Sequence, residues 1–221
     1  MSANSIFAFD VYGTLFNIQS VDATCEEHFP GQGESIGQLW RQKQIQYSFL
    51  RQAMGKYVPF SSVTKDALRF SLAAHHADWT EETEQKLMKA YNHLTLFDES
   101  LNVLRKLKEQ SATLIVFSNG SRDMLEPLLE QAGVNDYLDH VISVDDIKQF
   151  KPSPASYQLI LDTARVPRHD ITFLSSNGWD ISGAKAFGFT TAWINRSEQP
   201  TEELQLPPDY QYTTLTSLIK G

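Results

Sequence analysis

The sequence predicts an α/β protein with a doubly wound parallel sheet, into which a smaller helical unit is inserted after the first strand. Three observations support this prediction. Short apolar and β-branched runs recur along the chain, stretches with helical spacing separate them, and one long segment near the amino terminus interrupts the alternation. Near-continuous apolar strands are typical of a parallel sheet that is covered on both faces.

Five segments are predicted to be strands, because apolar, β-branched and aromatic residues follow one another in each. Asp10 directly follows the first strand, Ser118 the second and Ser175 the fourth. Doubly wound sheets place their sites beyond the carboxyl ends of the strands, so we expect the functional site there. The predicted strands are 6–9, 113–117, 141–144, 171–174 and 190–194.

Stretches at helical spacing lie between the predicted strands. One covers 101–107, where leucines recur every three residues and Asp98 can cap the amino terminus. Pro154 is suited to the first turn of a second helix, and Gly188 ends a third over 180–187. Strand and helix therefore alternate, as they do in a parallel sheet with helices on both faces.

The segment from 17 to 94 interrupts this alternation. Its apolar residues recur at helical spacing, and Pro59 breaks the segment in the middle. We expect a helical cap that lies over the ends of the strands. The chain is thus predicted to form a core domain from residues 1–16 and 95–221 and a helical cap domain from residues 17–94.

Composition narrows the range of partners. The 221 residues include 27 acidic and 19 basic side chains, which gives a net charge of −8. Nucleic acid is a disfavoured partner, because binding to its backbone needs a basic surface. No apolar run approaches the ~20 residues of a membrane-spanning helix, and the first residues show no secretory signal pattern. The single cysteine, Cys25, fits a reducing compartment, so we expect a cytoplasmic protein.

Asp10 is the candidate nucleophile. A carboxylate needs no base at neutral pH, because an unperturbed aspartate has a pKa of about 3.9, although Asp10 could equally form a turn before Gly13. Ser118 and Asn119 could dock a small anion at the start of a helix, or merely end a strand. Lys151 could orient a carboxylate nucleophile and offset its charge, or be a solvated surface charge.

Together, these positions resemble the four motifs of the haloacid dehalogenase superfamily. The motifs are Asp10 with Gly13-Thr14, Ser118-Asn119, Lys151-Pro152 and the polar cluster that ends at Asp180. The resemblance covers essentially the whole chain and implies a Rossmann-like core with a helical cap. Within the superfamily, the blocks that are similar to the (S)-2-haloacid dehalogenases are residues 9–15, 39–44, 117–120 and 175–180.

The chemistry of the residues favours this narrower group. Phosphatases of the superfamily protonate the leaving group with a second acid two residues after the nucleophile, where this chain has Tyr12. They also hold magnesium, which usually needs several carboxylates, whereas Asp180 is the one acid in the block 175–180. A halide leaves without a proton or a metal ion. We therefore expect neither a metal ion nor another cofactor.

The resemblance implies that the chain hydrolyses (S)-2-haloacids to (R)-2-hydroxyacids and halide, with inversion, through an ester on Asp10. Thr14 would position the nucleophile, and Lys151 would orient it and offset its charge. Asp180 would activate the hydrolytic water, and two further polar residues would position these groups. The implied catalytic residues are Asp10, Thr14, Lys151, Ser175, Asn177 and Asp180.

The resemblance also implies a binding site for the substrate. The backbone N–H groups of Val11 and Tyr12, with Ser118, would hold the substrate carboxylate, and Arg41 and Asn119 would receive the halide. Without the resemblance, Arg41 would be interpreted as a plain surface residue of a helix. The positions that match the family's apolar wall are Tyr12, Gln42, Ile45, Phe60 and Trp179, with Tyr157 also expected to reach the site.

Two alternatives stay open on the sequence alone. The chain could be a magnesium-dependent phosphatase of the same superfamily, or a catalytically silent member that binds small anions. The resemblance implies a 2-haloalkanoic acid as the substrate. Because the family is commonly dimeric, it also implies a second copy of the chain as a partner.

Overall fold

A computed structural model describes residues 5–219, and strands and helices alternate along most of that range. Short 3-10 turns connect several of these elements. The strands are β1 (Ile6–Phe9), β2 (Phe16–Asn17), β3 (Thr95–Leu96), β4 (Thr113–Ser118), β5 (His140–Ser143), β6 (Ile171–Ser175), β7 (Thr190–Ile194) and β8 (Tyr210–Tyr212). The helices are α1 (Ser20–His28), α2 (Gly33–Met54), α3 (Phe60–Ala74), α4 (Glu81–Tyr91), α5 (Ser100–Glu109), α6 (Arg122–Gln131), α7 (Pro154–Ala164) and α8 (Gly178–Phe187).

Six of the strands form one parallel sheet in the order β5-β4-β1-β6-β7-β8. β1 lies in its middle, where Phe9 pairs with Val116 of β4 and with Leu174 of β6. Ala8 and Phe9 point to opposite faces of the sheet and are both fully buried, so both faces are covered. The predicted doubly wound α/β fold and its five predicted strands are confirmed.

The structure adds elements that the sequence pattern does not predict. β8 lies at the edge of the sheet, and its Tyr-Gln-Tyr sequence forms no apolar run because the strand is largely solvent-exposed. The antiparallel pair β2–β3 has two residues in each strand, too few to show a period. The prediction that Asp98 caps a helix is wrong, because α5 begins at Ser100 after the capping position Glu99.

The four helices α1 to α4 lie between β2 and β3, within the segment that interrupts the alternation. They pack on one another through their apolar faces, and the Trp40 indole of α2 donates a hydrogen bond to the Thr64 carbonyl of α3 (2.8 Å). The chain leaves the sheet and returns to it through the β2–β3 pair, where Asn17 faces Thr95. We propose that this pair marks the boundary between the core domain and the cap at residues 17–94.

Three further expectations concern a membrane-spanning helix, a secretory signal and Cys25. Within residues 5–219, no helix has the length and apolar character needed to cross a membrane. The expectation about a secretory signal falls largely on residues 1–4, which lie outside the described range. Cys25 is buried in α1, and burial together with the nearby Asp22 raises the pKa of its thiol to about 12.

An aromatic cluster fills the core behind the carboxyl ends of β4 and β6. The Tyr157 ring of α7 lies at its centre, and α8 passes close to it at Gly183. A Cβ atom at Gly183 would lie 2.5 Å from the Tyr157 hydroxyl oxygen and 2.6 Å from Cβ of Pro152. The rings around Tyr157 belong to Phe117, Phe173, Phe187 and Phe189.

We expect Gly183→Ala to lower the free energy of unfolding by about 1–3 kcal/mol, because the added methyl group overpacks the contact with Tyr157 and Pro152. Helix propensity alone would instead predict a variant with a higher free energy of unfolding, since alanine is favoured over glycine in a helix by about 1 kcal/mol. Urea unfolding followed by circular dichroism distinguishes the two. A variant more stable than the parent chain would contradict the close packing of α8.

Candidate active site

The carboxyl ends of β1, β4 and β6 lie side by side, because these strands are neighbours in the sheet. Asp10, Asn119 and Ser175 are placed at or just beyond these ends. Lys151 reaches the same region from the loop before α7, and Arg41 reaches it from α2. The fold therefore brings together side chains that are distant in sequence.

The Asp10 carboxylate is held at both oxygens. Oδ1 accepts a hydrogen bond from Nζ of Lys151 at 2.9 Å. Oδ2 accepts from the Thr14 hydroxyl (3.0 Å), the Asn177 amide (3.0 Å) and, at 3.3 Å, the Ser175 hydroxyl. The carboxylate is buried, and its plane is fixed because donors on several sides define both oxygen positions.

Lys151 lies between two carboxylates. Its Nζ is 2.9 Å from Oδ1 of Asp10 and 2.8 Å from Oδ2 of Asp180, and its side chain is 1% exposed. The ammonium also lies 4.7 Å from the ring centroid of Phe117 and 5.3 Å from that of Phe173. Burial alone would lower the pKa of Lys151, but the two carboxylates outweigh it and raise this pKa. Lys151 therefore remains an ammonium at neutral pH.

Asp180 is fully buried on the far side of Lys151. Its Oδ1 accepts a hydrogen bond from the Tyr157 hydroxyl (2.7 Å), and its Oδ2 faces Lys151. Burial raises the pKa of Asp180, while the Lys151 ammonium opposes the rise. Burial and Asp180 raise the pKa of Tyr157 well above its usual value, so its phenol remains a hydrogen-bond donor.

A narrow cavity lies above Asp10, between the strand ends and α2. The volume of this cavity that the centre of a water molecule can occupy is about 10 Å³, roughly what a single water needs. Every residue that lines it is one that the sequence predicts for the site. The lining residues are Asp10, Tyr12, Arg41, Ile45, Phe60, Asn119, Lys151, Asn177 and Trp179.

Two residues that the sequence analysis does not identify hold Arg41 over this cavity. Nη1 of Arg41 donates to Oε1 of Gln44 (2.5 Å), and that oxygen also accepts from the Tyr91 hydroxyl (2.8 Å). Nη2 of Arg41 lies 3.4 Å from Oδ1 of Asn177. Gln44 is three residues after Arg41 and so shares its helix face, which is a signal in the sequence, whereas Tyr91 belongs to another helix.

Several donors at the site have no partner among residues 5–219. The backbone N–H groups of Val11 and Tyr12, directly after Asp10, donate to no acceptor in that range. Oδ1 of Asn119 accepts from the Lys151 backbone N–H (2.8 Å), which leaves the Asn119 amino group to donate toward the cavity. These groups can bind a small anion beside the carboxylate.

Three predicted residues lie elsewhere. Gln42 is exposed and lines a neighbouring cavity, because the residue after Arg41 is rotated by about 100° around α2. Ser118 is fully buried and accepts the Gly120 N–H (2.9 Å) instead of lining the cavity. Tyr157 reaches Asp180 from the aromatic core. It does not line the cavity, whereas the sequence analysis predicts a direct contact with the substrate.

The charges of the site balance without a metal ion. The carboxylates of Asp10 and Asp180 both pair with the Lys151 ammonium, and the Arg41 guanidinium lines the same cavity as Asp10. The Lys151 ammonium lies between the two carboxylates and supplies the positive charge there. Among residues 5–219, no three His, Cys, Asp or Glu side chains are arranged to hold a metal ion. The residues present therefore do not fit a magnesium site.

Comparison with known proteins agrees with this geometry. The family model of haloacid dehalogenase-like hydrolases matches residues 5–188. The chain is 42% identical to an (S)-2-haloacid dehalogenase of Pseudomonas sp. (strain YL), over 96% of this chain and 92% of that protein. It is 38% identical to haloacetate dehalogenase H-2 of Moraxella sp. (strain B), over 96% of this chain and 95% of that protein.

A solved structure is similarly close. The L-2-haloacid dehalogenase of Xanthobacter autotrophicus, with chloropropionic acid covalently bound, superposes with a TM-score of 0.92 and 36% sequence identity. The match covers 98% of this chain and 97% of that one. On the strength of the motifs, the fold and these relatives, the chain belongs to the haloacid dehalogenase-like hydrolases and, within them, to the (S)-2-haloacid dehalogenases.

Proposed function

We propose that this chain hydrolyses (S)-2-haloacids to (R)-2-hydroxyacids and halide through an ester on Asp10. The observation that carries the proposal is the Asp10 carboxylate itself. It is buried, fixed at both oxygens and directed at a narrow cavity that has a guanidinium on its wall. A relative with chloropropionic acid covalently bound supports a covalent intermediate.

In the first step, the N–H groups of Val11 and Tyr12 bind the substrate carboxylate beside the nucleophile. Oδ1 of Asp10 attacks C2 from the side opposite the halogen, the C–O bond forms, and the halide leaves with the electron pair of the carbon–halogen bond. Configuration at C2 is therefore inverted. Oδ1 is assigned as the attacking oxygen, because its one partner is Lys151 and it keeps a lone pair for carbon, whereas Oδ2 already accepts from three side chains.

The departing halide meets Arg41 and the Asn119 amino group. A guanidinium is a delocalised, weakly hydrated cation and suits a large, weakly basic anion. Gln44 and Tyr91 keep Arg41 in place without neutralising its charge, since both are uncharged partners. The aromatic walls formed by Tyr12, Phe60 and Trp179 exclude solvent, which strengthens the electrostatic interactions inside.

In the second step, water attacks Cγ of Asp10 and Asp180 accepts its proton. The negative charge that develops on Oδ2 is stabilised by the donors of Thr14, Asn177 and Ser175, which act as an oxyanion hole. The bond between Cγ and Oδ1 then breaks, and the departing oxygen takes a proton from the Lys151 ammonium beside it. Lys151 recovers a proton from the newly formed Asp10 carboxyl group, and Asp180 releases the proton of the water to solvent, which restores the starting charges. One oxygen of Asp10 thus leaves with the product, and a solvent oxygen replaces it.

We further propose that the reaction needs no metal ion or other cofactor. Lys151 supplies the positive charge between the carboxylates, and Tyr12 stands where superfamily phosphatases have their general acid. A phosphoryl dianion would therefore meet Asp10 and Asp180 with neither a metal ion nor a proton donor for its leaving group. This chemistry supports the dehalogenase over the phosphatase alternative.

Asp10→Asn is expected to reduce halide release from (S)-2-chloropropionate, without added metal, by about three orders of magnitude or more, because the amide is a poor nucleophile. Asp162→Asn, on the exposed face of α7, is the matched control and should keep the parent rate. Mass spectrometry of the variant excludes deamidation back to Asp. Turnover close to that of the parent chain would contradict the assignment of the nucleophile.

Asp180→Asn is expected to form the ester and then stop. A single turnover of halide should be released, and mass spectrometry should find one propionate unit on the peptide that contains Asp10. The physical reason is that the amide cannot accept the proton of the attacking water. Full turnover by this variant would show that Asp180 is not the base of the second step.

The pH dependence of kcat tests the same assignment in the parent chain. Asp180 must be ionised to act, and burial raises its pKa, so kcat should fall as the pH drops through a value above the ordinary carboxyl pKa of about 3.9. The raised pKa of Lys151 predicts no loss from this group up to about pH 9. An acid limb at or below the ordinary carboxyl pKa would contradict a buried base.

The protein is also proposed to be a cytoplasmic homodimer. The single, buried Cys25 suits a reducing compartment, and exposed apolar side chains at Leu50 and Met54 of α2 and Phe70 of α3 offer a face for a second copy. Size-exclusion chromatography with light scattering should give twice the chain mass. A monomer at micromolar concentration would contradict the dimer.

A further inference from the structure

Lys151 enters the site on a loop that precedes α7, and two contacts fix that loop close to the lysine. From the core, Oδ1 of Asn119 accepts the backbone N–H of Lys151 itself (2.8 Å). From the inserted helices, Oε1 of Gln52 accepts the backbone N–H of Phe150 (2.8 Å). The position of the ammonium therefore depends on a residue of α2 as well as on the core.

Gln52 uses both ends of its amide on this loop. While Oε1 accepts from Phe150, Nε2 donates to Oε1 of Gln149 at 2.5 Å. The two residues that it holds directly precede Lys151 in the chain. A second contact lies beside it and comes from Tyr57, in the loop between α2 and α3. The Tyr57 hydroxyl donates to Asp145 (2.5 Å), and the Tyr57 ring lies 4.7 Å from that of Phe150.

The same face of α2 carries the groups that close the cavity. Gln52 follows Arg41 by eleven residues, which is three turns of an α-helix with a residual rotation of about 20°. Between them, Ile45 lines the cavity, and the Phe49 ring packs edge-on against Trp179 at 5.1 Å. One row of side chains on α2 thus runs from Arg41 at the cavity to Gln52 at the loop that carries Lys151.

We propose that Gln52 is a positioning residue for Lys151: by holding Phe150 and Gln149 it sets the lysine ammonium between Asp10 and Asp180 when α2 is seated on the core. Gln52 is not among the residues that line the cavity, so it acts through the loop and not on the substrate. The effect on the reaction rests on the proposed function, because that function gives Lys151 its role. The contacts of Gln52 do not depend on it.

Loss of this contact has a predictable electrostatic result. The titratable groups that face Asp180 are Lys151, Tyr157 and Asp10. Of these, Lys151 opposes the effect of burial on the pKa of the Asp180 carboxyl most strongly, through its charge and its hydrogen bond, and the Tyr157 hydrogen bond adds to it. An ammonium that is less well placed therefore leaves Asp180 easier to protonate, and the acid limb of kcat moves to higher pH.

Gln52→Met tests the proposal, because methionine keeps the length and helix propensity of glutamine and removes both hydrogen bonds. Gln46→Met is the matched control on the exposed face of α2, where the amide accepts from Lys43. We expect Gln52→Met to lower kcat about tenfold, the equivalent of one hydrogen bond, with KM changed less than about twofold. Its acid limb should lie at higher pH than that of the control.

Gln52→Glu is the conservative variant, since its carboxylate can still accept the Phe150 N–H. It should keep kcat within about threefold of the parent value. A Gln52→Met variant with the kcat and acid limb of Gln46→Met would overturn the proposal. A variant with raised KM and unchanged kcat would also overturn it, because Gln52 would then serve only to dock α2.

A readout independent of activity separates this proposal from the proposed function. Lys151 is 1% exposed, so acetic anhydride should label it slowly in the parent chain and in Gln46→Met, and faster in Gln52→Met, as mass spectrometry of the peptides measures. Equal labelling of the two variants would overturn the role of Gln52. If the parent chain released no halide, the proposed function would fail while the labelling still decided how Lys151 is positioned.

Discussion

The buried ammonium of Lys151 between Asp10 and Asp180 is the interaction on which the rest of the site depends. Removing these charges from water costs several kcal/mol for each ion, and the arrangement is stable because every charged atom in it has close partners. Tyr157 donates to the outer oxygen of one carboxylate, and Thr14 donates to the other. Loss of any one partner would leave a buried charge uncompensated.

The arrangement of Lys151 between Asp10 and Asp180 also explains why the site suits a halide leaving group. An ammonium is a single fixed charge that orients a carboxylate and can lend a proton, whereas a divalent cation would demand several oxygen ligands. With Lys151 in that place, Oδ1 of Asp10 has a single hydrogen-bond partner, the ammonium that orients it. Tyr12 contributes a ring that packs against Phe60 and Tyr91 in place of a second acid, so this wall of the cavity is aromatic.

The sequence predicts much of the fold from strand ends and motif spacing, which are local features, whereas the cavity-lining residues of the inserted helices, such as Arg41 and Phe60, follow only from the resemblance to the family. It does not predict contacts that depend on the packing of distant elements. Tyr91 holds Arg41 from another helix, and Gln52 reaches a loop almost a hundred residues away. Tyr157 was expected near substrate, yet its ring belongs to the aromatic core and its hydroxyl serves Asp180.

The narrowness of the cavity above Asp10 has a chemical consequence for acyl transfer. An ester on Asp10 would share this space with Arg41, Phe60 and Trp179, which would leave an attacking molecule little more room than a water needs. Steric selection of the acceptor would then favour hydrolysis of the intermediate over its capture by larger nucleophiles such as alcohols, amines and thiols.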